Sequence, residues 1–291
     1  MKLSHLALAA MLCLVWGFNV VAAKVGVTYV PPVFFTAMRF LCVLAVLAPW
    51  LKPTPGKWGI LVPAVFFMGS LHFALIFAGA KYSDASTMAI VNQLYVPISV
   101  ILALFWLGEA VPLQRWAGIA LAFAGVVVFS LDASVAAHWR GVLLLVADGF
   151  SMGLGSVLLR KLSGVPAFVM QAWMAALGFP FLLLTSLVLE SGQIAAVAHA
   201  PWQEWAALAF TVVGASLFGH TVYYFLLQRY EVSLVASVLL AAPIVGVFSG
   251  VLLLGEPFTA EIALGAVMTL AGVAIVLVRQ PLPALEAPDG A

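Results

Sequence analysis

Arg39 and Asp148 each interrupt an apolar stretch that holds no other charge, Val33 to Leu51 and Gly141 to Leu159. A charge at the centre of a bilayer costs roughly 2.5 to 3.5 kcal/mol on insertion scales, so each of the two requires a partner or a function. At a helical rise of about 1.5 Å per residue both lie roughly 10 Å from the same membrane face, a depth that would let them meet. Asn19, counted back from Val27, falls at a similar level. A guanidinium fork, a carboxylate and an amide at one depth suit the carboxylate and ammonium of an amino acid. The plainer alternative is a buried pair in which Arg39 and Asp148 only satisfy each other.

His72 and His220 are separated by the same offset as Lys81 and Arg229, which puts the two imidazoles on equivalent helices near mid-membrane. With an ordinary pKa of about 6.5, histidine exchanges a proton near neutral pH, so His72, His220 and Asp148 are the candidates for proton coupling. A neutral imidazole bonded to a helix carbonyl is the structural alternative. Asn92, Gln93 and Tyr95 precede Pro97, whose missing amide loosens a helix and often lines a cavity with the polar groups around it. Trp173 stands opposite Arg39 when Pro166 is matched to Pro32, and with Tyr223 it is a candidate aromatic wall for a ligand. Packing against lipid or neighbouring helices accounts for such aromatics equally well.

Other chemistries lack their residues. There is no phosphate-binding Gly-rich loop ending in Lys-Ser/Thr, no His-Glu-x-x-His and no serine elbow, so no enzyme activity, cofactor or direct use of ATP is expected. The two cysteines, Cys13 and Cys42, lie in apolar segments and build neither a disulfide framework nor a zinc site. A net charge of +1 with scattered basic residues excludes nucleic acid as a partner.

The elements that must position these residues are membrane helices. Of the 291 residues 65% are apolar and 8% charged, against about a quarter charged in soluble domains. Runs of roughly 20 apolar residues, the length that spans a bilayer core as helix, divide the chain into ten segments. They are His5 to Val27, Val33 to Leu51, Trp58 to Ala80, Ala85 to Leu107, Leu113 to Leu131, Gly141 to Leu159, Ala167 to Leu189, Trp202 to Leu227, Val232 to Gly255 and Ile262 to Val278. Proline and glycine punctuate them. With the N-terminus inside, eight basic residues (Lys2, Lys52, Lys57, Arg115, Arg160, Lys161, Arg229, Arg279) lie on the cytoplasmic side against three outside (Lys24, Lys81, Arg140), which makes both termini cytoplasmic. The tail 280–291, rich in proline and acid, is expected to be disordered.

The segments repeat. Gly108-Glu109 followed by Gly118 and Gly125 returns as Gly255-Glu256 followed by Gly265 and Gly272, and Lys81-Tyr82 returns as Arg229-Tyr230. The expected fold is therefore all-α and integral to the membrane, ten transmembrane helices as two five-helix repeats, residues 1–135 and 139–279. Five crossings per repeat is an odd number, so the second repeat enters the bilayer inverted. Two inverted halves have near-equal energies when open to either side, which is the architecture of a secondary transporter working by alternating access.

Val15-Trp16-Gly17-Phe18-Asn19, Lys24-Val25-Gly26, Pro31-Pro32 and Met38-Arg39-Phe40 resemble the EamA family of the drug/metabolite transporter superfamily, and the first helix pair is similar to bacterial exporters of cysteine and O-acetylserine. The resemblance continues through Leu107-Gly108-Glu109, Gln228-Arg229-Tyr230-Glu231 and Gly255-Glu256. It implies ten helices, paired repeats, and export of amino acids or related small polar metabolites across the inner membrane, with the lipid bilayer and a small-molecule substrate as partners. A multidrug or toxic-cation exporter of the same superfamily is the alternative, for which Asp148 would be the acidic residue. A channel-like pore is a third reading.

Overall fold

The computed structural model describes residues 2–107, 111–160, 165–227, 229–230, 235 and 238–277. Glu109, Lys161, Glu231, the first part of the ninth segment, Arg279 and the tail 280–291 lie outside the described residues. Among those described, every regular element is helical. Eight helices are long and apolar enough to cross a membrane, and two more apolar helices are shorter.

In chain order the helices are α1 (Leu3–Gly26), α2 (Pro32–Leu47), α3 (Trp58–Tyr82), α4 (Ala85–Trp106), α5 (Leu113–Phe129), α6 (Trp139–Arg160), α7 (Ala167–Leu189), α8 (Trp202–Ala209 continuing through Phe210–Gly219 and His220–Leu227), α9 (Ala241–Leu254) and α10 (Ala260–Leu277). The shorter two are α5 and α9, with 17 and 14 residues. At about 1.5 Å per residue α5 is about 25 Å long, just short of a bilayer core, and α9, from Ala241 to Leu254, is shorter still. Pro32 opens α2 at its first position, where no amide hydrogen is needed.

Three helices change their winding midway. In α4 the turn Asn92–Leu94 tightens to a 3-10 turn, because Pro97 has no amide hydrogen for the carbonyl four residues back. In α3 the stretch Phe66–Leu71 and in α8 the stretch Phe210–Gly219 widen to π-helix, each ending where a histidine follows, His72 and His220. A π-turn withdraws carbonyls from the usual i→i−4 ladder and offers them sideways.

The most extensive helix contacts recur when each helix is exchanged for the one five places along. α1 lies against α8 and α9, while α6 lies against α3 and α4; α2 packs on α7, α4 on α9, and α5 on α10. The α5–α10 contact is built by the repeated glycines. A Cβ at Gly125 would sit 2.4 Å from the Thr269 amide, and one at Gly272 would sit 2.4 Å from the Ala122 amide, so the two backbones touch.

At the end of the bundle holding the C-terminus of α1, acidic side chains cap helix starts. Glu190, after α7, accepts the Val33 and Phe34 amides at 2.9 and 3.0 Å, and Glu256, after α9, accepts those of Ala85 and Ser86 at 2.6 and 2.9 Å. Each carboxylate sits on the positive end of another helix. Lys24 donates to the Ala80 and Ser83 carbonyls at 2.9 and 2.6 Å, closing the α3–α4 corner onto α1.

Candidate functional site

Arg39 is 3% exposed on α2 and faces α8. Its Nε and Nη2 donate to Ser216 Oγ at 3.1 and 2.9 Å, and its guanidinium lies over the Phe73 ring at 4.8 Å. Ser216 belongs to the π-stretch of α8 and passes its own hydroxyl hydrogen to the Thr211 carbonyl at 3.1 Å. The carbonyl of Ser216 accepts from Gln171 Nε2 of α7 at 3.0 Å and from His220 Nδ1 at 3.1 Å. Next to it, the Ala215 carbonyl accepts from Trp16 Nε1 of α1 at 3.3 Å. The carbonyls offered by the π-turn are thus taken by side chains of two further helices.

Asp148 on α6 is fully buried, and the expected pairing with Arg39 is replaced by two other contacts. His72 Nδ1 lies 2.5 Å from Asp148 Oδ1, and Asn92 Nδ2 donates to Oδ2 at 2.8 Å. Depth alone did not decide the partner: Arg39 and Asp148 are at comparable levels but point to different neighbours. The two histidines occupy matching settings. Asp148-Gly149-Phe150 of α6 matches Trp16-Gly17-Phe18 of α1, so Asp148 on His72 stands where Trp16 stands on His220, its ring 5.8 Å away. His220 lies within electrostatic range of both Arg39 and His72, which joins the two settings into one polar interior.

A cavity of about 30 Å³ separates the two halves beside Ser216. Its walls include Phe40 of α2, Phe73 of α3, Gln171 and Met174 of α7, and Ser216 and His220 of α8. That is room for a water or two. Two polar atoms at Ser216's neighbours, Arg39 Nη1 and Gln171 Oε1, are buried without a partner among the described residues.

The other expected site residues divide. Asn19 lies one turn beyond Trp16 on the same face of α1, with its side-chain oxygen buried and unpartnered. Tyr223 packs on Trp16 with ring centroids 5.5 Å apart and lies within electrostatic range of Tyr95. Gln93 is half-buried on the tightened turn of α4. Trp173 is not brought to this region. Its indole donates to the Lys52 carbonyl at 2.9 Å and packs edge-on against Trp58 at 4.7 Å, the posture of an interfacial aromatic.

Sequence reasoning missed Gln171 and Ser216, both uncharged. The available signal was Gln171 itself, the one amide in α7, two residues before the tryptophan that drew notice. Glu204, 1% exposed in the first turn of α8, was also missed; neither of its carboxylate oxygens has a hydrogen-bond partner among the described residues, and the charge of Lys81 acts on it.

Comparison with known proteins gives the same direction for both halves. The model of the EamA-like transporter family matches residues 3–131 and again 139–278. A Salmonella typhimurium protein named probable amino-acid metabolite efflux pump is 30% identical, covering 92% of this chain and 93% of its own. An Escherichia coli protein of the same name is 28% identical over 92% and 93%, and an uncharacterized transporter of Bacillus subtilis is 27% identical over 92% and 90%. One solved crystal structure superposes with a TM-score of 0.64 over 94% of this chain and 96% of the other, at 20% identity, a likeness of fold alone.

Proposed function

The chain belongs to the EamA-like transporter family of the drug/metabolite transporter superfamily, a multi-pass membrane protein, and from that premise we propose that it is a secondary exporter of amino acids or related small polar metabolites. The proposed architecture is ten crossings in two inverted repeats, residues 1–135 and 139–279, in the inner membrane with both termini cytoplasmic.

The observation that carries this reading is the exchange symmetry of the packing, in which α1 on α8 and α9 mirrors α6 on α3 and α4. A pathway that opens alternately to two sides needs its ligand site on the axis relating the halves, where both halves contribute equally. The α2–α7 contact is its own counterpart under that exchange, and the cavity at Phe40, Gln171 and Ser216 adjoins it. The names of the Salmonella and Escherichia coli relatives support amino-acid metabolites as substrates. For the energy source we propose proton coupling through His72 and Asp148, whose side chains meet at 2.5 Å, buried between α3 and α6. That makes the acidic residue part of a neutral-capable pair and disfavours the toxic-cation reading, since both oxygens of Asp148 are occupied.

Counterflow in proteoliposomes against a panel of amino acids tests the reading without assuming an energy source. Exchange of at least one amino acid that saturates with concentration is expected; flux that never saturates would indicate a pore instead.

A further inference from the structure

The polar atoms left over around Ser216 describe a ligand. Arg39 uses Nε and Nη2 on the Ser216 hydroxyl, and its Nη1 is buried with no acceptor among the described residues. Gln171 turns its amide nitrogen to the Ser216 carbonyl; because a carbonyl only accepts, the orientation of that amide is fixed, and Oε1 is left buried with no donor. One charged donor and one neutral acceptor, both more than nine-tenths buried, thus flank a single serine. A buried guanidinium without a carboxylate calls for an anion, and a buried amide oxygen calls for a hydrogen donor.

Resting on the exporter reading above, we propose that Arg39, Ser216 and Gln171 form the headgroup site for a neutral zwitterionic α-amino acid, with the substrate carboxylate on Arg39 and its ammonium on Gln171 Oε1. An organic cation would meet the positive charge of Arg39 with nothing to offset it. A dicarboxylate would leave the Gln171 oxygen without a donor. Apart from His220, whose Nδ1 is turned to the Ser216 carbonyl, the rest of the cavity wall is apolar, Phe40, Val43, Phe73, Ala175 and the flexible thioether of Met174, which suits an uncharged side chain of variable shape. The cavity enlarges where the winding is already irregular: Ser216 lies within the π-stretch of α8, and Phe73 follows the π-stretch of α3 by two residues.

Gln171 is thereby a specificity-determining residue, and a ratio of competitors tests it. In proteoliposomes carrying the full chain, counterflow of labelled L-leucine is challenged with unlabelled L-leucine and with isocaproate, the same carbon skeleton without its amine. Wild type is expected to favour leucine by about tenfold or more, the size of one well-placed buried hydrogen bond. Gln171→Leu should collapse that preference toward unity by weakening leucine while leaving isocaproate within about twofold. Gln171→Glu keeps an acceptor oxygen in place and should keep the preference. The ratio does not depend on how much of each variant folds. If Gln171→Leu retains the wild-type ratio, or Gln171→Glu loses it equally, the headgroup site is wrong while the exporter reading stands. If wild type counterflows no neutral amino acid, both fall together.

Discussion

At the scale of single residues, Arg39 grips one hydroxyl with two N–H groups of a planar fork while its ring contacts fix the plane. A lysine has the charge without the fork, so Arg39→Lys should lose at least about tenfold in initial counterflow rate. Full activity of that variant would remove the planar contact from the mechanism. The Asp148–His72 contact predicts a separable defect. Asp148→Asn should abolish accumulation driven by a proton gradient while leaving counterflow within about threefold, because Arg39 is bound to Ser216 and loses no partner when Asp148 is neutralised. Uphill accumulation by the asparagine variant, measured beside counterflow in the same vesicles, would end the coupling role. What a sequence conveys about a buried charge is its depth, through the rise per residue; which neighbour it turns to depends on helix rotation and on windings such as the π-stretch that presents Ser216, and neither leaves a periodic trace.

At the scale of elements, the glycine crossing of α5 and α10 is the tightest contact between the halves, backbone against backbone. Gly265→Leu would drive a side chain into the Phe129 amide, which a hypothetical Cβ already approaches to 2.4 Å, and should lower the melting temperature in detergent by about ten degrees or leave no folded protein, as overpacking a rigid contact does. An unchanged melt would show that the helices separate freely. Those glycines were legible as a repeat, though the sequence alone did not show that the two copies meet. Asp132, between α5 and α6, accepts from the amides and hydroxyl of its own loop and from Thr259 Oγ1 at 2.7 Å ahead of α10. The Ser134 and Thr259 hydroxyl bonds hold its carboxyl below the usual carboxylate range. A depressed folded-state pKa stabilises above the unfolded value of about 3.9 and is lost as pH falls through the folded value. Asp132→Asn should therefore melt lower than wild type at neutral pH, and the gap should close below about pH 4. A gap independent of pH would mean that charge has no part in tying the loop. Helix existence was readable from apolar run lengths and helix ends from proline and glycine, which is why most segment limits agree within two or three residues. The π-stretches were invisible because they alter hydrogen bonding without altering hydrophobicity.

At the scale of the whole molecule, the orientation proposed above puts the Glu190 and Glu256 caps outside and the cluster of Lys2, His5, Arg229 and Tyr230 inside, at opposite ends of α1. A reporter active only in the periplasm, fused after Leu277, should stay silent; activity there would invert the topology and with it the direction assigned to the caps. The caps also bear on timing. On the proposed exporter reading, opening the outer end would pull Val33 and Phe34 off Glu190 and Ala85 and Ser86 off Glu256, four charge-assisted bonds in all. A pump fastened in this way would be paced by release of its outer face, so its maximal velocity should climb steeply with temperature while its half-saturating concentration barely moves, and loosening one fastening, as in Glu190→Gln, should speed the cycle at the expense of holding the inward-loaded state.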